Sequence, residues 1–203
     1  PKQVFEVINA VKPANTVIAT DVGQHQMWTA QYAPFDGPRR IVSSGGLGTM
    51  GFGLGAAIGA YVATKAPVIL ITGDGSFGMN LNELATAVTY KIPVVIVLMN
   101  NGVLGMVRQW QTLFFGKRYS FTPMANPDYM KIAEAYRIPA QTITERADLA
   151  EAINTGATMI DQFWSTIDWL TAGIKLRAAI LSFFRKIDVE TLASALTGKF
   201  SSL

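Results

Sequence analysis

The chain has 203 residues, with 17 Lys+Arg against 14 Asp+Glu, one His and no Cys. Half the residues are hydrophobic, enough for a core, which excludes disorder as the main state and fits one domain or one domain with an appendage. Zero Cys excludes a disulfide scaffold, a thiolate zinc site and a Cys nucleophile, and a single His excludes a multi-His metal site.

Basic residues pair only at Arg39-Arg40, Lys117-Arg118 and Arg185-Lys186, and the net charge is +3, so no nucleic-acid groove is expected. No uncharged apolar run reaches the ~18 residues of a membrane span. No apolar leader follows Pro1, and a start without Met is what a fragment would show. The cysteine-free composition fits a reducing, cytoplasmic setting.

Residues 3–11 carry apolar side chains at helical spacing, and 16–20 form a short β-branched strand. A Gly-rich segment from Gly45 to Gly59 runs into small residues that suit a closely packed helix. Residues 68–72 are a continuous apolar strand. Asn80 and Glu83 resemble a capping box opening a helix to about residue 90. A second apolar strand covers 94–99, a helix 127–137, and a further strand is expected at 138–143. Strand, helix, strand at this spacing gives a parallel unit. The expected fold is α/β, a doubly wound parallel sheet over residues 1–153. Beyond Asn154 there is no Pro and no strand pattern. Residues 154–203 read as a helical C-terminal tail of one or two amphipathic helices.

Gly73-Asp74-Gly75-Ser76 directly follows the 68–72 strand, and Asn100-Asn101 directly follows the 94–99 strand. Parallel strands put both segments on one sheet edge, where open α/β sheets bind ligands. Glycines and a helix N-terminus favour a phosphate. Asp74 facing a phosphate is repulsive unless a divalent cation lies between them. A carboxylate, an amide oxygen and backbone carbonyls are hard donors that suit Mg²⁺. Either piece alone reads as an ordinary turn or loop cap. Their coincidence at matching strand ends points to a Mg²⁺-diphosphate site.

These segments resemble the diphosphate-binding signature of thiamine-diphosphate enzymes. Asp21 to Trp28 (DVGQHQMW), Ser43 to Gly51 (SSGGLGTMG) and Leu104 to Gln111 (LGMVRQWQ) are similar to the large catalytic subunit of acetolactate synthase. The resemblance covers residues 1 to about 153. It implies that Asp74, the Asn101 side chain and the Val103 carbonyl bind Mg²⁺. Gln24, His25 and backbone groups at Gly75, Ser76, Gly102 and Leu104 would meet the diphosphate. The segments holding Thr49 and Gly105 belong to the same cofactor contact. Met50 would wedge under the bent cofactor, and backbone groups at Gly48 and Met50 would bond its aminopyrimidine. Met106 and Trp110 match substrate-channel positions, Met106 also touching the cofactor. Without the resemblance, His25 would read as a satisfied surface His, the Met residues as core filler and Trp110 as an ordinary aromatic. Lys117-Arg118 reads as a solvated loop.

The implied whole enzyme condenses pyruvate with a second 2-oxo acid, pyruvate or 2-oxobutyrate, in branched-chain amino-acid synthesis. No catalytic residue is expected in this chain, because the activating Glu lies in a pyrimidine domain that this sequence lacks. The expected partners are a second copy or a chain carrying that domain, and a regulatory small subunit. FAD belongs to a central domain of the full-length enzyme, outside this chain. Other readings are one subunit of a split thiamine-diphosphate 2-oxo acid decarboxylase, or a non-catalytic truncated relative acting as an interaction module. Gly55 stands where the family usually has Pro. Residues 154–203 depart from the family altogether, as a fusion, a frameshifted end or a divergent module would.

Overall fold

The computed structural model describes residues 1–153, and the expected tail helices at 154–203 lie outside the described residues. Four parallel strands form one sheet in the order β2-β1-β3-β4. They are β1 (Val17–Thr20), β2 (Ile41–Val42), β3 (Val68–Gly73) and β4 (Val94–Met99). The helices are α1 (Lys2–Val11), α2 (Gln24–Tyr32), α3 (Phe52–Thr64), α4 (Asp74–Asn80), α5 (Leu84–Thr89), α6 (Gly105–Phe114) and α7 (Tyr129–Ala135). A parallel sheet needs crossovers on its faces, and here both faces are covered.

Strand alternation divides the core in two. Val17, Ala19, Val68 and Leu70 face Leu54 and Ala57 of α3, with Phe77 and Leu84 beside them. Ile18, Ile69 and Ile71 face Phe5 and Ile8 of α1, and Ala33 and Ile153 close that side. Each fully buried side chain of this size contributes about 1.5–3 kcal/mol. β3 pairs with β1 on one edge and with β4 on the other, and all its residues are buried. β4 is half-buried along its length, less covered than an all-apolar strand suggests, because among the described residues it forms the sheet edge.

Three sequence expectations change. No capping box forms at Asn80: it ends α4, and its side-chain amide donates to the Gly51 carbonyl at 3.2 Å. Glu83 instead accepts from Thr86 Oγ1 at 2.8 Å, so the helix expected from 80 to 90 is broken by a 3-10 turn at Leu81–Glu83. Residues 138–143 are not a strand. Short apolar runs of that kind acquire strand geometry only from a partner edge. The third concerns where α3 packs closely. A Cβ on Gly53 would lie 2.8 Å from Leu70 Cδ1 and 2.9 Å from the Asp21 amide nitrogen, whereas Gly55 and Gly59 face open space.

Gly53→Ala should therefore destabilise the chain by about 1–3 kcal/mol through overpacking. Gly55→Ala should stabilise it by ~0.5–1 kcal/mol through reduced unfolded-state entropy. Urea denaturation of the two variants checks both signs, and a stabilised Gly53→Ala would refute the close approach.

Candidate functional site

The sheet order places β2 on one side of β1 and β3 on the other, so the strand order switches direction between β1 and β3. Crevices at such switch points, outside the carboxyl ends of the strands, are where open α/β sheets take ligands. Three chain segments leave that edge: residues 21–23 into α2, Gly73 into α4, and residues 100–104 into α6. Each helix starts there with unpaired N–H groups and the positive end of its dipole. A cleft between them is lined by Val22 to His25, Trp28, Met50, Gly73 to Ser76, Met99, Asn101 and Val103 to Val107.

Two buried carboxylates fix this edge. Asp21 Oδ1 accepts from the Gly51 N–H at 2.8 Å and from the Val22 N–H at 3.1 Å, and its Oδ2 accepts from Thr72 Oγ1 at 3.3 Å. Asp21 thereby ties the Met50-Gly51 corner to the ends of β1 and β3. Asp74 is 2 % exposed, and its Oδ2 accepts from the Gly102 N–H at 2.7 Å and from Asn126 Nδ2 at 2.6 Å. Tyr129 Oη donates to the Asp74 carbonyl at 3.2 Å. Burial, and secondarily the Asp74 charge, raises the Tyr129 phenol above its ordinary value, so it stays a donor.

His25 is buried rather than a surface residue. Its ring packs where Gly73 has no side chain, 2.7 Å from the position a Gly73 Cβ would take. Among the described residues Nε2 has no hydrogen-bond partner. Burial lowers its pKa against the opposing pull of Asp21 and Asp74, which keeps the imidazole neutral at pH 7. Gln24 Nε2 donates to Gln109 Oε1 at 2.8 Å, and Gln24 packs on Gly105, where any side chain would displace it. Ser76 Oγ donates to the Val22 carbonyl at 2.7 Å, and the residue lines the cleft. Asn101 Oδ1 accepts from the Val103 N–H at 3.0 Å, which shapes its own loop.

Gln24, His25, Met50, Asp74, Gly75, Ser76, Asn101, Val103, Leu104, Gly105 and Met106 thus come together around one cleft. Gly102 lies behind the lining, with its N–H on Asp74. Gly48 and Thr49 are exposed and outside the lining. Trp110 is 57 % exposed and meets the Phe114 ring edge-on at 5.5 Å, away from the cleft. Arg108 stacks on Tyr119 at 4.5 Å, and Lys117-Arg118 is exposed as expected of a loop. Sequence reading missed Asn126, Tyr129 and Gln109. The Asn126-Pro127-Asp128 run announced only a helix start: Asp128 Oδ1 accepts from the Met130 and Lys131 N–H groups and caps α7.

A family model described as thiamine pyrophosphate enzyme, C-terminal TPP binding domain, matches residues 21–163. The chain belongs to that family. It is 51 % identical over 146 residues to the acetolactate synthase isozyme 2 large subunit of Escherichia coli K12, covering 71 % of this chain and 27 % of the relative. It is 50 % identical over 156 residues to a probable acetolactate synthase large subunit of Methanocaldococcus jannaschii, covering 75 % and 26 %. The mitochondrial catalytic subunit of acetolactate synthase from Aspergillus candidus is 50 % identical over 145 residues, covering 71 % and 21 %. The chain therefore spans about a quarter of the length of the curated relatives it matches.

The geometry fits what this family binds. Both hydrogen bonds to the Asp74 carboxylate fall on Oδ2, so among the described residues Oδ1 has no donor. Among the described residues there is also no cluster of three His, Cys, Asp or Glu. A cation bound here would find a single buried carboxylate and would complete its shell with neutral donors, phosphate and water, the sparse protein donor set that suits Mg²⁺. No helix among the described residues is long and apolar enough to cross a membrane.

Asp21→Ala should cost about 1–3 kcal/mol, because the Gly51 N–H loses its acceptor and such an orphan costs ~1–3 kcal/mol, whereas Thr72 Oγ1 keeps the Gly73 carbonyl at 3.2 Å. Chemical denaturation measures this, and a loss below 0.5 kcal/mol, on the order of a surface substitution, would remove Asp21 from the frame.

Proposed function

We propose that this chain is the cofactor-binding, C-terminal portion of an acetolactate synthase catalytic subunit, holding Mg²⁺ and thiamine diphosphate. The observation that carries the reading is the Asp74 carboxylate, buried at the strand switch with one oxygen satisfied and the other without a donor. The names of the relatives support the synthase over a split decarboxylase or a non-catalytic module.

In this reading Asp74, the Asn101 side chain and the Val103 carbonyl hold the cation. The Gln24 and His25 side chains, with backbone groups at Gly75, Ser76, Gly102 and Leu104, meet the diphosphate; the Gly102 and Leu104 N–H groups themselves are held by Asp74 Oδ2 and the Thr122 carbonyl. A neutral His25 reaches it as a hydrogen-bond donor and not as a second cation. The N-termini of α2 and α6 add their dipoles to the same negative charge. Met50 supports the cofactor from below, Gly48, Thr49 and Gly105 complete its contacts, and Gly48 and Met50 present backbone groups to the aminopyrimidine. Met106 and Trp110 line the path of the second 2-oxo acid. When bound, thiamine diphosphate supplies an electron sink for decarboxylating a 2-oxo acid and forming a carbon–carbon bond.

The exposure of Gly48, Thr49 and Trp110 supports a pocket completed by another chain or copy, one that brings the pyrimidine domain and its activating Glu. The designation of relatives as large subunits supports a smaller regulatory partner as well. Pyruvate and 2-oxobutyrate are the proposed substrates of that assembly, in the cytoplasm. The domain boundary near 153, with 154–203 a separate tail, is part of the proposal; the family match runs to 163.

Calorimetric titration of thiamine diphosphate into the full chain should show binding with Mg²⁺ and none with EDTA. Asp74→Ala should abolish the Mg²⁺-dependent heat, and unchanged binding would overturn the ligand assignment. The chain alone should form no acetolactate from pyruvate. Measurable condensation would show that the activating group lies within these 203 residues.

A further inference from the structure

Asn126 lies outside the three family-like segments, in the loop before α7, yet it touches the centre of the site. Its Nδ2 carries two hydrogens. One goes to Asp74 Oδ2 at 2.6 Å, and the other to Asn100 Oδ1 at 2.8 Å. It therefore joins the segment leaving β3 to the segment leaving β4. Together with the Gly102 N–H it occupies Asp74 Oδ2 and leaves Oδ1 as the oxygen without a donor. Its own Oδ1 is buried and has no partner among the described residues. The amide gains nothing on its acceptor side, so its orientation is dictated by the two oxygens on its donor side. A flipped amide would turn Oδ1 onto a carboxylate and a second carbonyl-type oxygen, which repel it. The first residue of α7 grips Asp74 a second time, through Tyr129 Oη on the Asp74 carbonyl and the Tyr129 ring 5.9 Å from that of Phe77.

We propose that Asn126 is a positioning residue for the divalent cation: it locks Asp74 through Oδ2 so that Oδ1 is presented to the metal. Asn100 is its second anchor, and the adjacent Asn101 is left to serve as ligand. The inference rests on the cofactor reading above. Groups that orient a ligand in this way typically change metal affinity 10–100-fold when removed.

The test uses Mn²⁺ as a paramagnetic stand-in, titrated into the full chain with and without thiamine diphosphate, alongside thermal melting. Asn126→Ala should weaken Mn²⁺ binding about tenfold or more. Asp128→Ala removes the α7 cap from the same segment without touching Asp74, so it should lower the melting temperature and leave Mn²⁺ affinity unchanged. Asn100→Ala, at an exposed position, should weaken Mn²⁺ in the same direction as Asn126→Ala by a smaller factor, and it decides the matter if Asn126→Ala does not fold. Wild-type Mn²⁺ affinity in folded Asn126→Ala, an equal loss in Asp128→Ala, or an unaffected Asn100→Ala beside an unfolded Asn126→Ala would each overturn the positioning role. Failure of the wild-type chain to take up Mn²⁺ with thiamine diphosphate would instead overturn the cofactor reading, and the role of Asn126 with it.

Discussion

Asp74 Oδ2 accepts two hydrogen bonds, and the geometry of the site follows from them. One donor is the Gly102 backbone, in the loop after β4, and the other is the Asn126 side chain, ahead of α7. The carboxylate is buried, so an unpaired charge there would be costly. Satisfying it draws the loops after two neighbouring strands onto one point. α4 starts at that point, and the loop then delivers α6 with its N-terminus toward the same cleft.

Asp21 plays the matching part at the end of β1. Its two oxygens engage the Gly51 N–H and the Thr72 hydroxyl, so the entry to α3 and the end of β3 are held in register. Gly53 lets α3 come down onto Asp21 and Leu70. Met50 sits at the cleft because the residue after it is pinned. Packing of the two core faces and ordering of the site are thus coupled through carboxylates at adjacent strand ends.

The neutral state of His25 belongs to the same arrangement. Two carboxylates pull toward protonation, and burial outweighs them. A charged imidazole in this position would compete for Asp74 with a cation. A neutral one can donate a hydrogen bond while leaving the carboxylate free for the cation proposed there.

Much of this was legible in the chain itself. The apolar runs at 68–72 and 94–99 announce buried parallel strands, because only strands covered on both faces dispense with alternation. Gly73-Asp74-Gly75-Ser76 and Asn100-Asn101 sit at their ends, so the topology alone brings them together. α2 was not legible: its Gln, Met, Trp and Ala residues form no apolar stripe at helical spacing, and the residues it buries are the polar His25 and Thr29. The two-residue β2 exists only through its pairing with β1. The run at 138–143 has no such partner among the described residues and is no strand. Sequence by itself determined the strand ends that carry Asp74 and Asn101, since side-chain alternation and turn chemistry are local. Tertiary structure alone decided the burial of His25, which oxygen of Asp74 is left without a donor, and the arrival of Asn126 from a loop 52 residues away. Hydrogen bonds between distant segments leave no periodic trace in the chain that makes them.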